Sequence, residues 1–164
     1  MSRTFAAFTG SGGGGALVSG DKFGFQTAEK IRQAIDLLAY LGDHLPLGGD
    51  EFTGHVTGAA TWEAVDATKV ITIDGSNLGG MDLEVLFFSK TENAAQAVQL
   101  RLRNTTDASN AAVSTSSSST TLVAQAAVAA TLASGVKSYR LEILGGATYA
   151  VFGAAFLRIR EVPV

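Results

Sequence analysis

Apolar positions follow two different periods along the chain. From Thr27 to Leu41, Ala28, Ile31, Ala34, Ile35, Leu38 and Leu41 recur at spacings of three and four, with Lys30, Arg32, Gln33 and Asp36 largely elsewhere. That spacing predicts an amphipathic helix. Thr27 suits the N-cap, Glu29 falls in the first turn where the helix dipole favours an acid, and Gly42 suits the stop. Leu37 and Tyr40 widen the apolar surface beyond one stripe, so the helix has surface to offer a partner, and Ile31, Ile35 and Leu38 are its candidate assembly contacts.

From about residue 52 onward the period is two. The segments 70–73, 83–87, 98–103, 139–143 and 156–160 read as strands. In 98–103 and 139–143 one face is apolar and the other charged or polar, the habit of antiparallel sheets with one buried and one wet face. The alternate row Leu122, Ala124, Ala126, Val128, Ala130 and Leu132 reads as one long or two short strands. Further strands are expected around 54–58 and 110–115. Turn signals separate the runs: Asp74-Gly75-Ser76-Asn77, Asn104-Thr105-Thr106-Asp107, Ser116 to Ser119, Ser134-Gly135 and Gly145-Gly146. The expected fold is mainly β, an antiparallel sandwich of about eight strands and of jelly-roll type.

Ahead of the helix, residues 1–26 hold Gly10, Gly12 to Gly15, Gly20 and Gly24 among small residues, a composition that resists regular structure because glycine gives up the most backbone freedom on ordering. Four phenylalanines, Phe5, Phe8, Phe23 and Phe25, have no use in a plain linker, so this segment reads as a docking arm and these residues as its candidate contacts. Pro46, Gly48, Gly49 and Gly54 mark a break after the helix. The expected organisation is an arm over 1–26, a helix and connector over 27–48, and a sandwich over 49–164.

Composition narrows the function. A chain of 164 residues suits one domain with one sizeable core. Its charged fraction of 16% lies below the roughly 25% usual for a soluble domain, which fits a surface of small polar residues, partly hidden against neighbouring chains. Twelve basic and fifteen acidic residues, scattered, give a net charge of −3 and no electrostatic footprint for nucleic acid. The absence of cysteine excludes disulfides and thiolate chemistry. Phe5 to Phe8 is too short for a secretory signal, and Leu122 to Ala133, interrupted by Gln125, is too short to cross a bilayer. A soluble protein, or part of a soluble particle, is expected.

No constellation carries catalysis. Gly10-Ser11-Gly12-Gly13-Gly14-Gly15 satisfies the letters of a dinucleotide fingerprint, yet no strand precedes it and no helix follows, so no cofactor is expected. His44 and His55, eleven residues apart, match no zinc-ligand pattern, and no metal is expected. There is no nucleophile elbow and no distinctive acidic cluster; Glu84 and Glu142 fall on polar strand faces, where charges are ordinarily solvated. Trp62, the single tryptophan, reads as a packing anchor at a strand start, with stacking on a sugar ring as the alternative. Asn104-Thr105-Thr106 fits a glycosylation sequon but reads more naturally as a turn.

In organisation the chain resembles tail, fibre and head-decoration proteins of tailed bacteriophages and phage-like particles. The resemblance rests on the small-residue N-terminal segment, the helix Thr27 to Leu41 and the closing strands Gly146-Ala147-Thr148-Tyr149-Ala150-Val151-Phe152-Gly153-Ala154-Ala155-Phe156-Leu157-Arg158-Ile159. It spans nearly the whole chain and carries no specific motif. It implies a non-enzymatic virion structural or attachment protein, anchored through its N-terminal region, with other virion proteins as partners and a homo-oligomer, trimer favoured, as the assembled form. The competing expectation is a carbohydrate-binding or adhesin module that recognises a cell-surface glycan.

Overall fold

The computed structural model describes residues 44–58, 61–77 and 82–160. The expected arm with Phe5, Phe8, Phe23 and Phe25, and the expected helix with Ile31, Ile35 and Leu38, fall outside the described residues. The sandwich unit begins at His44.

Among the described residues the chain forms ten strands: β1 (His44–His55), β2 (Trp62–Ala64), β3 (Ile71–Asp74), β4 (Leu83–Thr91), β5 (Gln99–Asn104), β6 (Ser109–Val113), β7 (Val123–Ala124), β8 (Val128–Ala130), β9 (Val136–Leu144) and β10 (Val151–Ile159), with one 3-10 turn over Gly75–Asn77. All pairings are antiparallel. Sheet A has the order β1-β10-β4-β7, with β8 also on β4; sheet B has the order β2-β9-β5-β6, with β3 also on β9. Since β2 and β3 share one edge of β9, and β7 and β8 one edge of β4, the ten strands fill eight positions. Numbered in chain order, those positions run 1-8-3-6 in sheet A and 2-7-4-5 in sheet B.

Alternation builds the core, since successive side chains of a strand point to opposite faces. Val85 and Phe87 of β4 and Val151, Ala155 and Leu157 of β10 supply sheet A's inner face, while Leu100 and Leu102 of β5 and Tyr139, Leu141 and Ile143 of β9 supply that of sheet B. Tyr139 is fully buried, and its hydroxyl accepts the backbone N–H of Ala133 at 2.9 Å.

The expected break at Pro46 to Gly54 is instead β1, so residues 44–48 belong to the sandwich and not to a connector. An edge strand tolerates what a central strand cannot: proline takes a position without a ladder donor, and bulges bend the strand away from edge-to-edge pairing. The register with β10 shifts between Pro46 and Gly48 and again between Asp50 and His55. Gly49 is obligatory, with φ of 84° and an added Cβ only 2.0 Å from the Gly153 carbonyl oxygen. In the second bulge Asp50 Oδ1 accepts the backbone N–H of Phe52 and of Thr53, which leaves the Phe52 ring 80% exposed.

The row Leu122 to Leu132 forms two short strands. Phe88 pairs with Ala124 and Val85 with Val128, so one extra residue on the second strand breaks the ladder between them. The sequon forms the expected turn. Asn104, 1% exposed, accepts the backbone N–H of Thr106 and of Asp107 on Oδ1 and donates from Nδ2 to Asp107. Its amide nitrogen is thereby committed inside the fold.

Candidate functional site

The outward face of a sandwich sheet is normally its wet face. The two sheets here treat that face differently.

On sheet A the outward residues are Glu84, Leu86, Phe88 and Lys90 of β4, Phe152, Ala154, Phe156 and Arg158 of β10, and His44 and Pro46 of β1, by alternation with the buried positions. The register sets Phe156 opposite Leu86, Ala154 opposite Phe88 and Pro46 opposite Phe156. Phe88 and Phe156 meet edge to face at 5.8 Å, and His44 meets Phe156 at 6.3 Å, both favourable geometries for aromatic rings. Charge is confined to the two ends: Arg158 opposite Glu84, joined by an ion pair, and Lys90 over the Phe152 ring at 4.9 Å. The middle is an aromatic and aliphatic surface, half-buried in the chain itself.

Sheet B presents charge at the centre. Its outward residues are Gln99, Arg101 and Arg103 of β5, Ser138, Arg140, Glu142 and Leu144 of β9, and Trp62 of β2. Arg101 lies opposite Glu142 and donates to Oε2 from Nε at 2.8 Å, with Nη2 at 2.7 Å, while Arg140 holds Oε1. Both carboxylate oxygens are therefore occupied by guanidinium groups, a charge-assisted arrangement stronger than neutral hydrogen bonding. Burial by itself would raise the Glu142 pKa; the hydrogen bonds from Arg140 and Arg101 and their positive charges outweigh it and hold the carboxyl below the usual glutamate range. Trp62 closes the cluster, with the Arg101 guanidinium 4.2 Å from the centre of its ring.

Two register positions further along, on the same face, Arg103 stands directly opposite Arg140. Like charges facing each other across a ladder repel. Arg103 donates to Asn110 at 3.0 Å, Arg140 shares Glu142 with Arg101, and the Arg140 Nε is buried without a hydrogen-bond partner. Three arginines surround one glutamate, which leaves two positive charges in surplus.

The expectation that Glu84 and Glu142 are solvated is corrected: they are only 9% and 4% exposed, and each is covered by an arginine. They stand on the outward faces of opposite sheets, separated by the core, so they cannot act as a carboxylate pair. His44 and His55 occupy opposite ends of β1, opposite Arg158 and Val151 of β10, roughly 23 Å apart at strand rise, too far to share a metal ion. Trp62 begins a strand as expected, yet it is half-buried on an arginine and not in the core. Among the described residues no helix is long and apolar enough to cross a membrane.

Sequence reasoning missed Arg101, Arg103 and Arg140. The available signal was the pair of alternations Arg101-Leu102-Arg103 and Arg140-Leu141-Glu142, which place the charges on outward faces but leave the register between strands open. No family model matches the chain, and no curated protein matches it.

Proposed function

We propose that this chain is a non-enzymatic structural and attachment protein of a phage or phage-like particle, assembled as a homo-oligomer, trimer favoured, through the outward face of sheet A. The observation that carries the reading is that face: a surface that should be wet is built from Leu86, Phe88, Ala154 and Phe156. A contiguous apolar surface of this kind marks an association site. Its occupant is another copy of the chain. Glu84 and Arg158 cancel and Lys90 lies at the end of the face over Phe152, so the apolar middle brings no unpaired charge to a second copy, whereas sheet B would bring its central arginines together.

The strand order supports a jelly roll as the finer description of the sandwich, since 1-8-3-6 against 2-7-4-5 is the succession of two interlocked Greek keys, an architecture common to capsid and lectin domains. The particle itself rests on the resemblance in organisation of the sequence.

Sedimentation of the full chain at micromolar concentration tests the reading. The parent should sediment as an oligomer, and the double variant Phe88→Ser, Phe156→Ser should fall towards the monomer mass with its strand content intact. A strictly monomeric parent, with no partner protein co-purifying, would overturn it.

A further inference from the structure

We propose that the outward face of sheet B binds an acidic oligosaccharide, with the sugar carboxylate held between Arg103 and Arg140 and a neighbouring sugar ring on Trp62. The inference deepens the attachment half of the proposed function and rests on it. Oligomer mass tests the assembly and ligand titration tests this site, so the two can fail separately.

A sheet gains nothing from placing Arg103 directly across from Arg140, and among the described residues the one carboxylate bonded to either, Glu142, is already occupied on both oxygens by Arg101 and Arg140. Asp74, on the same outward parity at the far end of β3, accepts the backbone N–H of Ser76. Of the ten N–H donors on Arg103 and Arg140, one reaches Asn110 and one nitrogen reaches Glu142. The Nε of Arg140 is buried without a hydrogen-bond partner, so it is the Nη groups of the two arginines that a ligand can reach. A carboxylate between the two guanidinium groups removes the repulsion and offers acceptors to their remaining Nη donors. Local charge favours the anion as well: with Asp74 counted beside Glu142 against the three arginines, the face still carries one surplus positive charge on a chain whose net charge is −3.

Trp62 turns an anion site into a sugar site. One face of its ring is taken by Arg101, so the opposite face is the one left for stacking, and an indole suits the apolar side of a pyranose. Trp62 pairs with Leu144, four residues along β9 from Arg140, about 13 Å at strand rise. That length suits two or three linked sugars with the acid at one end. Gln99, beside Leu144 on the opposite flank from Trp62, donates from Nε2 to the Ser114 carbonyl and keeps its Oε1, and Asn110, whose Oδ1 accepts from Arg103, keeps its Nδ2, for the hydroxyls.

Calorimetric titration of the full chain with sialyllactose and with a hexuronate trisaccharide tests the site, with lactose and inorganic phosphate as controls. Saturable binding of either acidic trisaccharide is expected, with lactose silent and phosphate competing only at far higher concentration. Arg103→Gln, whose side chain has only Asn110 to lose, should weaken binding at least about tenfold with an unchanged melting temperature. Arg140→Lys keeps the charge but loses the fork, and Trp62→Phe keeps a ring with less stacking area; each should weaken binding by a smaller factor. Four results would overturn the proposal: no acidic trisaccharide bound at about 10 mM, lactose bound as tightly as sialyllactose, phosphate bound as tightly as the trisaccharides, or Arg103→Gln without effect.

Discussion

Each sheet of the sandwich carries one arginine directly opposite a glutamate on its outward face, and the two pairs are used in opposite ways. In sheet A the pair is Arg158 with Glu84, near the end of β10, beside a surface of phenylalanines. In sheet B it is Arg101 with Glu142, joined by Arg140 and covered by Trp62. The Arg158 side chain is 36% exposed and that of Arg101 only 15%. The same pairing of residue types therefore forms a rim on one face, where the arginine reaches water although Glu84 is covered, and a desolvated centre on the other. Neighbours decide which: where phenylalanine holds the middle of a face, charge is pushed to its ends, and where charge holds the middle, it recruits an aromatic cover.

The largest expected effect removes sheet A's edge and with it the frame for that face. Gly49→Ala forces a side chain into a left-handed backbone and against the Gly153 carbonyl of the neighbouring strand. The cost should reach about 3 kcal/mol or more, read as a drop in the urea midpoint, with β1 losing amide-exchange protection before the rest.

Next comes the centre of sheet B. Glu142→Gln leaves Arg101 and Arg140 facing each other without their anion, and should cost about 2–3 kcal/mol in urea unfolding. The same variant sharpens the pH response. Because the folded-state pKa of Glu142 is depressed, its stabilisation is fully present above the unfolded value near about 4.3 and is lost as pH falls through the lower folded value. The parent should therefore lose stability more steeply than Glu142→Gln below about pH 4.5. Asp50, Asp66 and Asp107 shift in the same direction through hydrogen bonds at exposed turns, so the variant keeps a shallower slope of its own. Parallel slopes in the two proteins would show that the carboxylate is solvated and the contrast between the faces is wrong.

Trp62→Ala uncovers the same cluster without removing a charge. Loss of the cation–π contact and of the cover over Glu142 should cost about 1–2 kcal/mol. Urea unfolding reads the loss, and an unchanged midpoint would show that the ring contributes nothing to holding the cluster.

How much of this was legible in the sequence follows from which contacts are local. The strands β4, β5 and β9 were visible because β-branched, leucine and aromatic residues alternate with charge within each segment, and two-residue periodicity needs no partner. The early part of β10 was not, because Gly153-Ala154-Ala155 has too little side chain to display a period. β1 was hidden by Pro46 and three glycines, punctuation that an edge strand absorbs in bulges. β2 is three residues long, shorter than any readable window. The outward charges were visible as types, but Arg101 meets Glu142 across 41 residues of chain, and the register that turns four separate charges into one cluster is set by tertiary pairing. The apolar outward face of sheet A was equally present as Leu86, Phe88 and Phe156, yet alternation alone cannot say which of two half-apolar faces is inside.

The smallest expected effect completes the comparison. Glu84→Gln deletes the same carboxylate type from the same cross-strand pairing as Glu142→Gln, and Glu84 is itself covered, but its partner Arg158 is accessible enough for water to replace the lost carboxylate, so the orphaned charge costs little. Urea unfolding should move by less than about 1 kcal/mol, and added salt should mask even that, since exposed pairs are screened. In Glu142→Gln the loss should survive high salt, because screening reaches buried pairs poorly. Measuring the two variants side by side at low and high ionic strength therefore separates rim from centre without any reference to assembly: if Glu84→Gln proved as costly as Glu142→Gln and as resistant to salt, the phenylalanines of sheet A would be sheltering a buried pair, and its charge would have to be counted as part of the interface core.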